Sequence, residues 1–308
     1  MKLNEKLQMV LLPIAIIFGF LLSQNSQISN FSGNLTIPFL LLMLFSLFIN
    51  IPLKNFKKEF INLKFIKITL LINFIWTPIL SYILGYAFLN QHIDLWIGFI
   101  MLLVTPCTDW YLLFTDLAKG NMKLSLSILP LNLLLQLILL PVYIFLFTGV
   151  LSGFDLNLLI ETIVLIIILP FILSQVIKYF VNVSNRLSNY FELIAIISLS
   201  LAIFTIFSSK GSLLFNNLWV FIILLIPFVL FFIINFILTR LVKIAIKMNY
   251  EDYISLSLTT LARNSPISLA IAITAFPNQP IIALSLVIAP LIELPILIIV
   301  TYMIKRLK

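Results

Sequence analysis

The chain has 308 residues, of which 62% are hydrophobic and 10% are charged, and its net charge is +8. Soluble domains are about 45–50% apolar and about 25% charged, so this composition excludes a soluble domain. The apolar runs are long and continuous, which excludes a membrane β-barrel of short alternating strands. A single cysteine excludes an internal disulfide, and the basic residues lie in short loops rather than on a face suited to nucleic acid.

Hydrophobic segments of the length that crosses a bilayer as an α-helix follow one another along the whole chain. There are ten, at approximately 7–23, 36–51, 66–89, 94–117, 124–148, 157–178, 190–208, 218–240, 252–275 and 281–304. The linkers between them are too short to fold separately. The sequence therefore predicts an all-α polytopic membrane protein with one transmembrane domain over residues 1–308.

The basic residues alternate between the two sides of these segments. One alternate set of loops and termini holds 17 of the 19 lysines and arginines, while the other set holds Lys210 alone. The remaining cation, Arg263, lies inside the ninth segment. Because cytoplasmic loops are enriched in lysine and arginine, the pattern predicts ten spans of the cytoplasmic membrane with both termini in the cytoplasm.

Prolines recur at matching places in the two halves of the chain. The matching pairs are Pro13 and Pro170, Pro78 and Pro227, Pro106 and Pro266, and Pro141 and Pro295. Since each half has five spans, an odd number, the second half enters the membrane from the opposite side. We expect two inverted repeats, approximately 1–150 and 151–308, an architecture that places the binding site of many secondary transporters at the bilayer midplane.

The fourth and ninth segments each combine a helix-breaking proline with polar side chains. Pro106 and Pro266 predict broken helices there, because proline lacks a backbone N–H and clashes with the preceding turn. Paired broken helices mark the binding sites of transporters, so the substrate site is expected at these two breaks. The candidate substrate-binding residues are Cys107, Thr108, Asp109, Asn264 and Ser265. A lone membrane cysteine is often only a small hydrophobe, but a soft thiolate suits a thiophilic substrate.

Three acidic or basic residues lie deep inside predicted spans, away from the span ends. Such side chains are costly at that depth and mark function. Asp109 and Arg263 are expected to pair where the broken helices cross, either as a structural ion pair or as part of a coupling switch. Glu293 in the tenth span is expected to carry a proton, or else to remain permanently protonated and hydrogen-bonded.

Asn132 and Gln136 in the fifth span are four residues apart and so share one helix face. They are interpreted as amides that join helices, with substrate contact as the alternative. Catalytic sets are missing from the sequence: there is no phosphate-binding loop, and the only histidine, His92, falls in a predicted loop. We therefore expect no enzyme activity, no cofactor and no metal site.

Several stretches resemble the arsenite permeases of the arsenical-resistance type, within the bile acid/sodium symporter superfamily. The stretches are Cys107 to Asn121, Asn132-Leu-Leu-Leu-Gln136, Ser268-Leu-Ala-Ile-Ala272 and Pro290-Leu-Ile-Glu293-Leu-Pro295. The resemblance implies a ten-span inverted-repeat fold with crossed, broken helices 4 and 9 and a substrate path there. It also implies that Cys107 matches the important cysteine of that family.

The chain departs from the family pattern at three places. Pro106 stands where the arsenite permeases have a basic residue, and Ser268 stands where they have an acidic one. Sodium-coupled relatives carry a carboxylate early in the ninth-span break, where this chain has Thr259, Thr260 and Arg263. A fixed cation there argues against a sodium site and favours proton exchange or uncoupled movement, so the chain is expected to be a divergent member.

These observations predict a secondary transporter whose partners are the lipid bilayer and a small-molecule or oxyanion substrate. The expected activity is export of arsenite or a related oxyanion by proton antiport. The alternative is a sodium-coupled symporter of organic anions, so sodium is the second candidate coupling ion. A passive channel is a further class, distinguished by flux without gradient coupling.

Overall fold

The computed structural model describes residues 3–49, 62–108, 110–148, 161–162, 164–181 and 185–306. These residues are almost entirely helical. The helices are α1 (Leu3–Leu22), α2 (Ser26–Ile49), α3 (Leu63–Leu89), α4 (Ile93–Leu103), α5 (Trp110–Ala118), α6 (Met122–Thr148), α7 (Val164–Phe180), α8 (Asn185–Asn216), α9 (Leu218–Ile246), α10 (Tyr250–Leu261), α11 (Ser265–Ala275) and α12 (Pro280–Arg306).

Within the described residues, six helices are long and apolar enough to cross a membrane, namely α2, α3, α6, α8, α9 and α12. Their outward faces are also apolar. On α9, for example, Ile222, Ile237 and Ile244 are each more than half exposed, as expected for side chains that face lipid rather than water. The prediction of an all-α polytopic membrane protein is confirmed.

The chain folds as two compact units, and each draws helices from both halves of the sequence. The first unit contains α1, α2, α7 and α8. Here α2 and α8 are joined by hydroxyl pairs, Ser32 with Ser208 and Thr36 with Thr205, each at 3.1 Å between oxygens. Small and hydroxyl-bearing side chains are the usual means of close helix packing in membranes.

The second unit contains α3 to α6, α9, α10, α12 and most of α11. Its packing also depends on a close approach at glycine. A Cβ at Gly98 of α4 would overlap Ser285 Oγ and lie 3.0 Å from the backbone oxygen of Ile282, both on α12. Only glycine lets these two helices come together at this depth, which fixes α12 against α4.

The long helix α3 contains a π-helical stretch at Ile72–Trp76, just before Pro78. Pro78 has no N–H, so the carbonyl of Phe74, four residues earlier, loses its helical donor. The hydroxyl of Tyr143, on α6, donates to that carbonyl instead. A neighbouring helix thus supplies a hydrogen-bond donor to a backbone carbonyl that would otherwise lack one in the membrane.

Two short segments interrupt helices of the second unit. One lies between α4 and α5, and the other lies between α10 and α11. The described residues of these segments are 104–108 and 262–264. The two segments pair with each other, and we call them the crossing. Pro106 lies inside its segment, as predicted. Pro266 instead lies in the first turn of α11, so it marks the restart of the helix. The Asn264 side chain caps α11 by accepting a first-turn backbone N–H at 3.2 Å.

Candidate functional site

The two segments of the crossing run antiparallel and exchange backbone hydrogen bonds. The N–H of Cys107 donates to the carbonyl of Ala262 at 3.0 Å, and the N–H of Asn264 donates to the carbonyl of Thr105 at 2.8 Å. Unpaired backbone groups cost several kcal/mol in hydrocarbon. This exchange therefore allows both helices to be interrupted inside the second unit.

Arg263 is the largest polar side chain buried at the crossing, with 1% of its surface exposed. Its guanidinium donates to the carbonyls of Leu103, at 2.9 Å, and Thr260, and to Asn73 Oδ1 at 3.3 Å. It also lies 5.1 Å from the ring centre of Phe231. Leu103 and Thr260 stand at the C-terminal ends of α4 and α10, where the helix dipoles are negative and a cation is favoured.

Glu293, in the middle of α12, contacts the crossing through the backbone. Its Oε1 accepts the N–H of Arg263 at 2.7 Å, and the side chain is 4% exposed. A carboxyl group is thus held against the same residue that carries the buried guanidinium. Asp109, the other predicted acid, lies outside the described residues, so its pairing with Arg263 stays a prediction.

Polar side chains also gather at the N-terminal ends of α5 and α11. The N–H of Trp110 donates to Cys107 Sγ at 3.3 Å, so the sulfur lies at the first turn of α5. Asn264 Nδ2 lies 3.5 Å from Thr108 Oγ1, and the side chains of Cys107, Thr108 and Asn264 are all buried. Helix N-termini attract negative charge, so these ends complement the cation-favouring ends occupied by Arg263.

Ser265, also a predicted substrate ligand, forms a hydrogen bond with α12. Its hydroxyl donates to the carbonyl of Leu286 on α12 at 2.6 Å. This bond ties the start of α11 to α12.

The amides of α6 lie behind Arg263. Asn73 of α3, which accepts from Arg263, donates its own Nδ2 to Asn132 Oδ1 at 3.3 Å. Gln136 is fully buried, and in the part of the chain that the structure describes neither of its amide atoms has a hydrogen-bond partner. Asn132 therefore joins α6 to α3, as amides between membrane helices commonly do.

Comparison with known proteins identifies the family of this chain. The profile of the sodium bile acid symporter family matches residues 37–217, more than half of the chain. The chain belongs to the sodium bile acid symporter family. It is therefore a membrane transporter and not an enzyme.

Two relatives extend the comparison beyond the matched segment. The arsenical-resistance protein Acr3 of Corynebacterium glutamicum is 22% identical over 94% of this chain and 85% of its own length. An uncharacterized transporter of Synechocystis is 28% identical over 68% of this chain and 57% of its own length. The predicted resemblance to the arsenical-resistance branch is confirmed, and the low identity fits a divergent member of the family.

Two residues that contact or form part of the crossing, Asn73 and Thr105, were not among the candidate site residues. Asn73 was detectable, since it is an amide in an otherwise apolar segment. Thr105 was not, because threonine is common in membrane helices. Its Oγ1 lies 2.8 Å from Ser268 Oγ, and Ser268 in turn donates to the carbonyl of Met101. Thr105 belongs to the crossing, so this pair joins the crossing and the end of α4 to α11.

Proposed function

We propose that this transporter exports arsenite or a related oxyanion by proton antiport, with its substrate bound at the crossing. The observation that most directly supports this proposal is the position of Cys107. Its sulfur lies at the N-terminal end of α5, inside the crossing. A soft sulfur ligand suits a thiophilic element, and a single sulfur allows the release that a carrier requires. The arsenical-resistance relative supports the same substrate.

The oxygens of the substrate would face Thr108 and Asn264, beside Cys107. Both side chains are buried. Thr108 precedes the N-terminal end of α5 and Asn264 precedes that of α11, where the helix dipoles favour negative charge. Asp109, between Thr108 and α5 in sequence, would contribute to this site or to coupling. Ser265 is assigned a supporting part, since its hydroxyl is engaged with α12.

Proton coupling would act through Glu293. Its carboxyl group holds the Arg263 backbone N–H at 2.7 Å, so adding or removing its proton changes a bond made by the crossing itself. Asp109 is the second candidate proton carrier. This mechanism leaves Asn132 and Gln136 as supporting amides behind Arg263.

The proposed architecture is ten spans in two inverted repeats, with both termini in the cytoplasm. Helices or broken helix pairs overlie all ten predicted segments. Each compact unit takes corresponding helices from the two halves of the chain: α1 and α2 with α7 and α8, and α3 to α6 with α9 to α12. The concentration of basic residues in alternate loops, 17 of 19, supports the orientation in the cytoplasmic membrane.

The second candidate is a sodium-coupled symporter of organic anions, which the description of the matched family favours. The two proposals differ in ion, substrate and direction. A sodium-coupled carrier needs a site for a mobile cation, whereas the cation-favouring helix ends at the crossing are already bonded to Arg263. This contact supports the proton-coupled proposal.

The deciding experiment uses the purified chain in proteoliposomes with imposed proton or sodium gradients. Arsenite flux is measured for wild type, Cys107→Ala and Cys107→Ser, which keeps the size of the side chain while removing the thiol chemistry. We expect proton-driven arsenite flux in the wild type and its loss in both variants.

Two other outcomes would reassign the protein. Uptake of an organic anion that rises with external sodium, with no arsenite flux, would establish the symporter. Arsenite flux that survives both cysteine variants would keep the substrate and remove Cys107 from the site.

A further inference from the structure

The surroundings of the Arg263 guanidinium have the composition of a cation site. Three oxygens converge on it from three helices: the carbonyls of Leu103 and Thr260 and the amide oxygen of Asn73. The group is almost completely buried, and a ring face of Phe231 covers it at 5.1 Å. Two backbone carbonyls and one amide, with no water-exposed side, form an all-oxygen set of the kind that binds hard cations.

The two carbonyls are also placed where electrostatics favours positive charge. They belong to the last turns of α4 and α10, whose dipoles point their negative ends into the crossing. In transporters with broken helices, unwound carbonyls and half-helix C-terminal ends are the groups that hold a coupling cation. In this chain those groups are bonded to a side chain that stays charged at every physiological pH.

We propose that Arg263 is a built-in cation that takes the place of a mobile sodium ion, and that it makes the carrier independent of sodium. The inference deepens the proposed proton-coupled function, because it names the residue that excludes the other ion. A tethered guanidinium satisfies the carbonyls of both helix ends in every transport cycle and cannot leave with a gradient. The Asn73–Asn132 contact then holds α3 and α6 against the same group.

The first test measures binding without transport. Thermal unfolding of the purified full-length chain in detergent is followed while sodium, guanidinium or choline chloride is titrated at constant ionic strength. Guanidinium is used at low millimolar concentration, far below the molar range in which it denatures proteins. The wild type should show no shift with sodium beyond that with choline.

In Arg263→Ala the three oxygens lose their cation, so a mobile ion should bind them. We expect a saturable rise in the unfolding midpoint of about 2 °C or more with guanidinium, sodium or both, relative to choline. Arg263→Lys keeps the charge and should respond to neither ion. Arg240→Ala removes an exposed arginine of the same unit and serves as the matched control, with no ion-specific response.

A saturable sodium-specific rise in the wild type would overturn the proposal, and this measurement does not depend on any variant folding. If Arg263→Ala is too unstable to purify, Arg263→Gln tests the same neutralisation with a longer side chain. A folded neutral variant that ignores both guanidinium and sodium would also overturn it.

A transport measurement separates this inference from the proposed substrate. Suppose that the wild type transports no arsenite and binds no sodium, and that Arg263→Ala gains cation binding. The arsenite proposal then fails, and the proposal of a built-in cation stands. If the wild type moves arsenite only when sodium is supplied, the substrate stands and the built-in cation fails.

Discussion

Glu293 offers a substitution pair that separates holding the crossing from carrying a proton. The wild-type carboxyl group accepts the buried N–H of Arg263 at 2.7 Å and is 4% exposed. Glu293→Gln keeps an oxygen in the same place but has no titratable proton. Glu293→Ala removes both the acceptor and the proton.

The structure sets the size of the two effects on stability. In Glu293→Ala the Arg263 N–H is left without this acceptor, which costs about 1–3 kcal/mol, and one buried methylene is lost at about 0.8 kcal/mol. We therefore expect Glu293→Ala to lower the free energy of unfolding by about 2–4 kcal/mol. Glu293→Gln replaces one hydrogen bond by another and should cost about 1 kcal/mol or less.

Transport should not distinguish the two variants, because both remove the titratable proton. In proteoliposomes, Glu293→Gln should fold and insert normally, yet its arsenite flux should no longer respond to an imposed pH gradient. Glu251→Gln, which alters an exposed acid at the start of α10, is the matched control and should retain the response.

Two results would refute this reasoning. Proton-driven flux that persists in Glu293→Gln would move the proton to another acid, of which Asp109 is the named candidate. Equal stability of the glutamine and alanine variants would show that the bond from the Arg263 N–H contributes nothing measurable.

Three further substitutions or modifications test the packing and access of the site. Gly98→Ala should lower the free energy of unfolding by about 1–3 kcal/mol, because its Cβ overlaps Ser285 Oγ, and Ser285→Gly should recover part of that loss in a thermal double-mutant cycle. Thr105→Val keeps the side-chain shape but loses the 2.8 Å contact with Ser268, so it should cost about 1 kcal/mol; an equal cost in a Ser268→Ala background would contradict the contact. Alkylation of Cys107 by a small maleimide should be slow, since only 3% of its surface is exposed, and arsenite should slow it further; unchanged labelling with saturating arsenite, followed by mass spectrometry, would argue against binding at the thiol.

The broken helices illustrate what could be predicted from residue type alone. Pro106 removes a donor from an apolar segment, and that local fact predicts an interruption wherever the segment lies in the fold. Pro266 carried a weaker signal, since proline is also favoured in the first turn of a helix. Only the cap formed by Asn264 shows that Pro266 lies on the far side of the break.

The partners of Arg263 illustrate what could not be predicted. The sequence indicated that a buried arginine needs acceptors, and it offered Asp109 as the evident choice. Among the described residues, which do not include Asp109, the acceptors of its guanidinium are two backbone carbonyls and an amide oxygen. One of them, the carbonyl of Leu103, is 160 residues away along the chain. Every residue carries a carbonyl, so no pattern of side chains marks the ones that will be freed at a helix end.

The sequence by itself determined the membrane class, the helical segments, the break at Pro106 and the resemblance to an arsenical-resistance transporter. These follow from hydropathy, proline and charge, which act locally and keep their meaning in any fold. The tertiary structure alone decided that the breaks pair with each other, that Glu293 holds the Arg263 backbone, and that the guanidinium bridges two helix ends. Those contacts depend on where distant helices cross, which is set by close packing at positions such as Gly98 rather than by any one segment.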